Sequence, residues 1–235
     1  MSAAPEAAAR RPGTTRVAWR GASRLIPSRY PSVGLFDRVA VPADLEAVFE
    51  LEGWTNDRIS NELGALHAVP RGEWVTGPMA TVVMAAFCHP RAGGGRFNSA
   101  RRGAWYAAKT LETALSESTY RRTRELEEIG AFETRVQMRL YRADFRAAFH
   151  DIRPGGPARA ALYDPDDYSA SQAFAEELLA AGSNGILYRS VRDISPAGGE
   201  CLACFRPRLV ANVRVAGHYE YVWEGSRTPR VRKTT

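Results

Sequence analysis

Apolar residues recur along this chain with two periods, and the change from one to the other marks out the elements. Arg16 to Ile26 reads as a first strand, after which Pro27, Pro31 and Gly34 punctuate an irregular connection. Pro42 opens a predicted helix over Ala43 to Glu52, with Leu45, Val48 and Phe49 on one face and Gly53 at its end; a second short helix is expected over Asn56 to Leu63, before Gly64. The run Met79 to Phe87 is apolar on every side, and the β-branched Thr81, Val82 and Val83 favour a buried strand. A glycine-rich turn, His89 to Asn98, leads to a strand near Ala104 to Ala108.

Thr110 is a natural cap for a helix reaching Ile129 and stopped by Gly130, with an apolar stripe of Leu111, Ala114, Leu115, Leu126 and Ile129. On the helical wheel Glu117 stands about 120° from the stripe centre, where a carboxylate can line a cleft without entering the core. Val136, Met138 and Leu140 alternate with polar neighbours as a half-buried strand, and Pro154 to Pro157 is a loop. A helix is expected over Ser169 to Ala181, then a buried strand Gly185 to Tyr188, then a hairpin of Leu209 to Val215 and His218 to Trp223 turning at Ala216 and Gly217. Strands and helices intermix without strict alternation, so one α+β domain is favoured over a doubly wound sheet.

A chain of 235 residues, 45% hydrophobic and 25% charged, is an ordinary globule with enough length for its own core. Its longest apolar run is far short of the roughly 20 residues that cross a bilayer, and the first residues carry no continuous apolar stretch, so a cytoplasmic protein without a membrane contact is expected. The net charge of +6 sits at the ends. Residues 1–24 hold five arginines against Glu6, and residues 227–235 hold Arg227, Arg230, Arg232 and Lys233, which leaves the middle slightly negative. Residues 1–15 and 226–235 therefore read as basic tails, the first of them disordered, around a domain of residues 16–225. A nucleic-acid-binding module, using those tails and Trp19, Trp54, Trp74, Trp105 and Trp223 as stacking groups, is the non-enzymatic alternative.

Cys88, Cys201 and Cys204 do not suit a disulfide scaffold, and in a strand Cys201 and Cys204 point to opposite faces, so no metal site is expected. Dinucleotide-fold, P-loop, zincin and hydrolase-elbow motifs are absent, and His67, His89, His150 and His218 stand singly. The informative order is Gly93-Gly-Gly-Arg-Phe-Asn98, Trp105-Tyr-Ala-Ala108, Leu111-Glu-Thr-Ala-Leu-Ser-Glu117 and, far downstream, Gly185-Ile-Leu-Tyr-Arg-Ser-Val-Arg192. Taken singly, each residue also fits a structural role: Arg96 on a hairpin surface, Tyr106 in a core, Glu117 as a solvated helix charge.

Together the four blocks resemble the RES-domain family, named for an arginine, a glutamate and a serine that fall here on Arg96, Glu117 and Ser190. The resemblance spans roughly residues 16–225. It implies a compact α+β domain of mixed sheets with flanking helices, related in shape to ADP-ribosyltransferases. It also implies a toxin that consumes NAD as substrate, by hydrolysis or with inorganic phosphate as co-substrate, or that transfers ADP-ribose to a protein. The partner it implies is a cognate antitoxin with a helix-turn-helix region whose C-terminal part blocks the pocket, in a hetero-oligomeric complex that can include a toxin homodimer, without direct contact to nucleic acid. By position, Glu117, Arg96, Ser190 and Tyr106 are the catalytic candidates. Gly95, Arg96, Phe97, Asn98, Tyr106 and Ser190 would hold the dinucleotide, with Arg24 or Arg29 as an upstream arginine. Two departures stand out: Arg189 replaces the usual proline before the serine, and residues 40–80 form an insertion.

The chemistry suits these residue types. Nicotinamide leaves as a neutral molecule from a cationic glycoside, so the ribose develops oxocarbenium character and one carboxylate can stabilise it. Arginines would grip the diphosphate, and a tyrosine offers the nicotinamide a flat face.

Overall fold

The longest strand, Glu133–Asp151 (β3), organises the molecule, because its 19 residues are long enough to pair with three others. The computed structural model describes residues 11–28, 35–38, 41, 64–196 and 198–234. Alternation of buried and exposed side chains predicted a strand near Arg16–Ile26, and it runs over Thr14–Pro27 (β1), antiparallel to β3. Trp105–Ala108 (β2), Gly185–Arg189 (β4), Glu200–Cys204 (β5), Ala211–Glu224 (β6) and Arg230–Thr234 (β7) complete one mixed sheet in the order β1-β2-β5-β4-β3-β6-β7. Because β1 also pairs with β3, the first five strands of that order close on themselves, and β6 and β7 extend from β3. Only β3 and β4 run parallel.

Four α-helices flank the sheet among the described residues: Leu35–Arg38 (α1), Ala80–Cys88 (α2), Leu111–Ile129 (α3) and Ser169–Ala180 (α4). Strand alternation divides the interior. Trp105, Tyr141, Phe145, Leu202 and Cys204 face α2, while Ala108, Ile186, Tyr188, Cys201 and Ala203 pack with α4 and with Ala114 of α3. Leu126 of α3 closes a third cluster with Met138, Leu140, Tyr219, Tyr221 and Trp223 of β3 and β6. The architecture is a single α+β domain, and no helix among the described residues is long and apolar enough to cross a membrane.

Three elements differ from expectation. The run Met79 to Phe87 is helical, not a strand. Its side chains are buried nearly all round, so neither period shows in the sequence, and the packing of Phe87, Met84 and Val83 overrides the β-branched preference. The hairpin at Ala216 and Gly217 is instead one continuous strand: the unbroken β3 templates both halves, and the extra residue is absorbed as a bulge between the Leu140–Gly217 and Tyr141–Val215 pairs. Much of the basic C-terminal segment is the edge strand β7 rather than a tail, tied down where the buried Glu220 accepts from Gln137 Nε2 at 2.7 Å and Arg232 Nε at 2.6 Å. Ile129 of the predicted stripe lies exposed beyond the last core contact of α3. The helices expected at 43–52 and 56–63, most of the insertion, and Trp54 lie outside the described residues.

The nucleic-acid alternative loses part of its support, while Arg16 and Arg20 stay exposed and Trp19 half-buried. Arg227, Arg230 and Arg232 pair with Glu127, Glu224 and Glu220, while Trp74, Trp105 and Trp223 are buried in the core. The three cysteines are free and buried, Cys201 and Cys204 facing different clusters, with burial pushing the thiols of Cys88 and Cys204 up to about 12.

Gly185 opens β4 with φ 136°, and a Cβ there would stand 2.0 Å from the Ala203 carbonyl oxygen across the strand pair. Both strain and collision involve main chain that cannot move aside. Gly185→Ala is expected to cost about 2–4 kcal/mol of folding stability. Urea unfolding measures it; a midpoint equal to wild type would contradict the packing described.

Candidate active site

The site gathers where α3 crosses the open end of β2 and β4. Thr110 Oγ1 accepts the Thr113 N–H at 3.2 Å, which caps α3 as the sequence predicted and sets its angle to β2; Gly130, with φ 66°, ends it. Two turns in from the cap, Glu117 sits half-buried on the flank of the helix that faces β4. Ser190 is the residue immediately after β4, and its Oγ donates to Glu117 Oε1 at 2.5 Å.

That serine hydroxyl is fully used. Its oxygen accepts the N–H groups of Arg192 at 3.1 Å and Asp193 at 3.0 Å, and its main-chain N–H donates to Gly199 at 2.7 Å. A second tie, Thr113 Oγ1 to Asp193 Oδ2 at 2.7 Å, bolts the same turn to the start of α3 and helps hold the Asp193 carboxyl below its ordinary range. Oε1 of Glu117 is therefore fixed, whereas Oε2 has no protein partner among the described residues.

The glycine turn is tightly wound. Gly95 and Asn98 bridge one another, and the Tyr106 hydroxyl accepts the Phe97 N–H at 2.9 Å and donates to Asn98 Oδ1 at 2.8 Å. A Cβ on Gly95 would lie 2.8 Å from that hydroxyl, which is why glycine is needed there. Gln172 of α4 donates to the carbonyls of Gly93 and Gly95. The amides of Gly94, Gly95, Phe97 and Asn98 are thus spent inside the protein, so the turn positions side chains and does not present an open ring of N–H groups to an anion. Burial pushes the Tyr106 phenol up to about 12, so it remains a neutral donor.

Arg96 is buried rather than held out to solvent. Nη1 donates to the carbonyls of Asp164 at 2.6 Å and Leu162 at 3.2 Å, the guanidinium stacks 4.6 Å from the Tyr168 ring, and Nη2 is buried without a partner. The 157–168 segment is fastened from its other side too, since Tyr120 of α3 donates to Asp166 Oδ1 at 3.0 Å and carries the Arg192 guanidinium 3.3 Å from its ring.

Arg24 of β1 completes one wall, with Nη1 donating to the Tyr106 carbonyl at 3.1 Å and its guanidinium 4.8 Å from the Trp105 ring. Burial and then the nearby Arg121 lower its pKa to about 10. Arg29 lies outside the described residues. Glu117, Ser190, Tyr106, Arg24 and Arg96 therefore converge on one region, and two neighbours were not anticipated: Tyr188, whose buried phenol is raised and lies near Glu117, and Arg121. Both had a signal, since residues 188 and 190 share a strand face and residues 117 and 121 share a helix face.

The arrangement offers one oriented carboxylate oxygen beside aromatic rings and guanidinium groups. It can stabilise a developing cation and hold hydroxyl groups, and it provides acid–base chemistry at Glu117 alone among the site residues.

Comparison with known proteins places the chain. It is 28% identical over 207 residues to the uncharacterized protein y4oC of Sinorhizobium fredii (strain NBRC 101917 / NGR234), a match covering 87% of this chain and 83% of that protein. Its structure is similar, with a TM-score of 0.47 and 14% identity over 88% of this chain and 85% of the other, to a chain in the crystal structure of the M. tuberculosis MbcT-MbcA toxin-antitoxin complex. The RES domain model matches residues 65–224, a span that runs through both Glu117 and Ser190, and the chain belongs to the RES-domain family.

Proposed function

We propose that this protein is the toxin of a toxin–antitoxin pair and that it cleaves the nicotinamide–ribose bond of NAD, with water or inorganic phosphate as the acceptor. The observation that carries the reading is the Glu117 carboxylate, oriented through Oε1 by Ser190 and with Oε2 unpartnered among the described residues. In the reaction the bond between the ribose C1′ and the nicotinamide nitrogen breaks, its electron pair stays on the ring nitrogen, and nicotinamide leaves neutral. An oxygen of water, whose proton passes to solvent, or an unprotonated oxygen of phosphate then bonds to C1′. Glu117 Oε2 faces the positive charge that builds on the sugar and accepts from the ribose hydroxyls.

Ser190 acts on this reading by position. Its single proton is committed to Glu117, so it orients the carboxylate rather than binding the nicotinamide amide. Arg96 acts similarly, as a buried tie that holds the 157–168 segment beside the site, with Nη2 left to complete its bonding on a ligand oxygen. Tyr106 and Tyr188 supply aromatic walls. The antitoxin follows from the family resemblance, with the carboxylate pocket as the surface to be blocked.

The direct test is nicotinamide release from NAD by antitoxin-free protein, with and without phosphate, with labelled NAD reporting any transfer to protein. Release with the ADP-ribose label in small products is expected under at least one condition; release with that label on a protein instead would assign the transferase reaction, and no release under any condition overturns the reading. Glu117→Gln should keep the melting temperature and lower turnover by about 10²–10³-fold. Ser190→Ala should lower kcat by roughly tenfold or more with little change in KM, since only the orientation of Glu117 is lost. Arg96→Ala should lower stability by about 1–3 kcal/mol in addition to activity, because two main-chain carbonyls lose a charged donor and a buried side chain is removed. An Arg96→Ala protein as stable as wild type would show that the tie is not needed.

A further inference from the structure

The outer face of the β1–β3 pair carries charge that the carboxylate pocket does not use. Strand alternation turns Val17, Phe145 and Phe149 into the core and leaves Arg16, Ala18, Arg146 and Ala148 exposed on the opposite side, where Ala18 pairs with Arg146 and Arg16 with Ala148. Arg20 is exposed in the adjoining bulge, where the register of β1 slips between Trp19 and Ala22. The side chains of Arg16, Arg20 and Arg146 make no hydrogen bond or ion pair among the described residues. The same face continues onto Arg142 and onto Arg214 of β6, which meet at the bulge. Arg142 Nη1 donates to the Gly21 carbonyl at 2.7 Å, and a Cβ on Gly21 would stand 3.3 Å from Arg214 Nη2 and 3.8 Å from Arg142 Cδ. Against these five arginines stands one carboxylate, Asp144. It is spent on the Gly21 N–H at 2.7 Å and on Asn212 Nδ2 at 2.9 Å, with Arg214 Nη1 3.6 Å away.

The spacing of these charges selects a partner. A strand rises about 3.3 Å per residue, so Arg16 and Arg20 are about 13 Å apart along β1, with Arg146 across the pair between them. A single small anion does not reach groups spread so far. A phosphodiester backbone does, because each strand of a duplex carries a charge about every 3.4 Å of its axis, and guanidinium forks match its oxygens. The side chains exposed between the arginines are those of Ala18 and Ala148, so the face is flat and lacks the large apolar anchor by which a protein partner or a lipid bilayer is gripped. We infer that this face binds the phosphate backbone of duplex nucleic acid, without reading its sequence. That departs from the expectation of no direct contact with nucleic acid, and it needs none of the tryptophans: Trp19 packs against the core on the other side of β1. None of these arginines belongs to the Glu117 pocket, so the face stands independently of the NAD reading.

Fluorescence anisotropy of a labelled DNA duplex of arbitrary sequence, about 20 base pairs long, titrated with antitoxin-free wild-type protein, tests the face. Binding is expected at about 50 mM salt, and its affinity should fall with a logarithmic salt slope of about −3 to −4, the value for some four phosphate contacts. The double variant Arg16→Gln, Arg146→Gln should bind about tenfold or more weakly and lose about 2 from that slope, with melting temperature and nicotinamide release as in wild type. Arg101→Gln, the same change at an exposed arginine paired with Glu176 of α4, should leave duplex binding as in wild type. Absent or salt-insensitive binding by wild type overturns the assignment, as does a double variant that binds like wild type or an Arg101→Gln protein weakened as much as the double variant. Uptake by vesicles of phosphatidylglycerol and phosphatidylcholine, with none of the duplex, gives the face to a membrane and overturns it as well. Each of these results leaves Glu117 to be judged on nicotinamide release alone.

Discussion

The hydrogen bond from Ser190 Oγ to Glu117 Oε1 joins groups 73 residues apart, and the rest of the site is arranged around keeping those two atoms in register. A glutamate on a helix surface has three rotatable bonds and in water would sample many positions, losing the entropy of that freedom only where a strong partner holds it. Here the partner cannot drift. Ser190 follows a strand buried on both faces, its own oxygen is held by two amides, and Thr113 ties the next turn to the first turn of α3. The carboxylate is presented by a rigid element at each end, which is what an electrostatic role requires, since a charge that must reorganise during the reaction stabilises little.

Charge is distributed around that bond with some economy. Several surface arginines are matched by glutamates, including those of the C-terminal strand. Beside Tyr106 lie Arg24, which donates to the Tyr106 carbonyl, and the buried Arg96.

Much of the fold was legible in the sequence because it depends on local rules. The Thr110 cap, the Gly130 stop, the alternation in β1 and β3 and the buried Gly185 strand each follow from a residue type at a fixed place. What could not be read depended on distant partners. The apolar segment that became α2 shows neither period, because it is buried all round; β6 is continuous because β3 runs unbroken opposite it. The candidate site was legible as a set of residues and less so as a set of roles. Arg96 looked like a free fork and is bonded to carbonyls of a segment more than 60 positions away, and the glycine turn looked like an open cradle but its amides are consumed by Tyr106 and by the turn itself. Arg121 could have been found from the helical wheel, since it shares the face of Glu117.

The ring of strands has an order of assembly written into it. β5 lies between β2 and β4 yet is made after both, and β1, the first strand synthesised, waits for β3 before most of its edge is paired. Contacts of such separation close late and slowly, because the loop between partners must be ordered first. A nascent chain that has emerged through Glu117, or even through Ser190, still lacks the strand that sets β2 and β4 apart. The carboxylate consequently gains its final surroundings only after residues 200–204 have been made and paired, a delay imposed by the topology of the sheet.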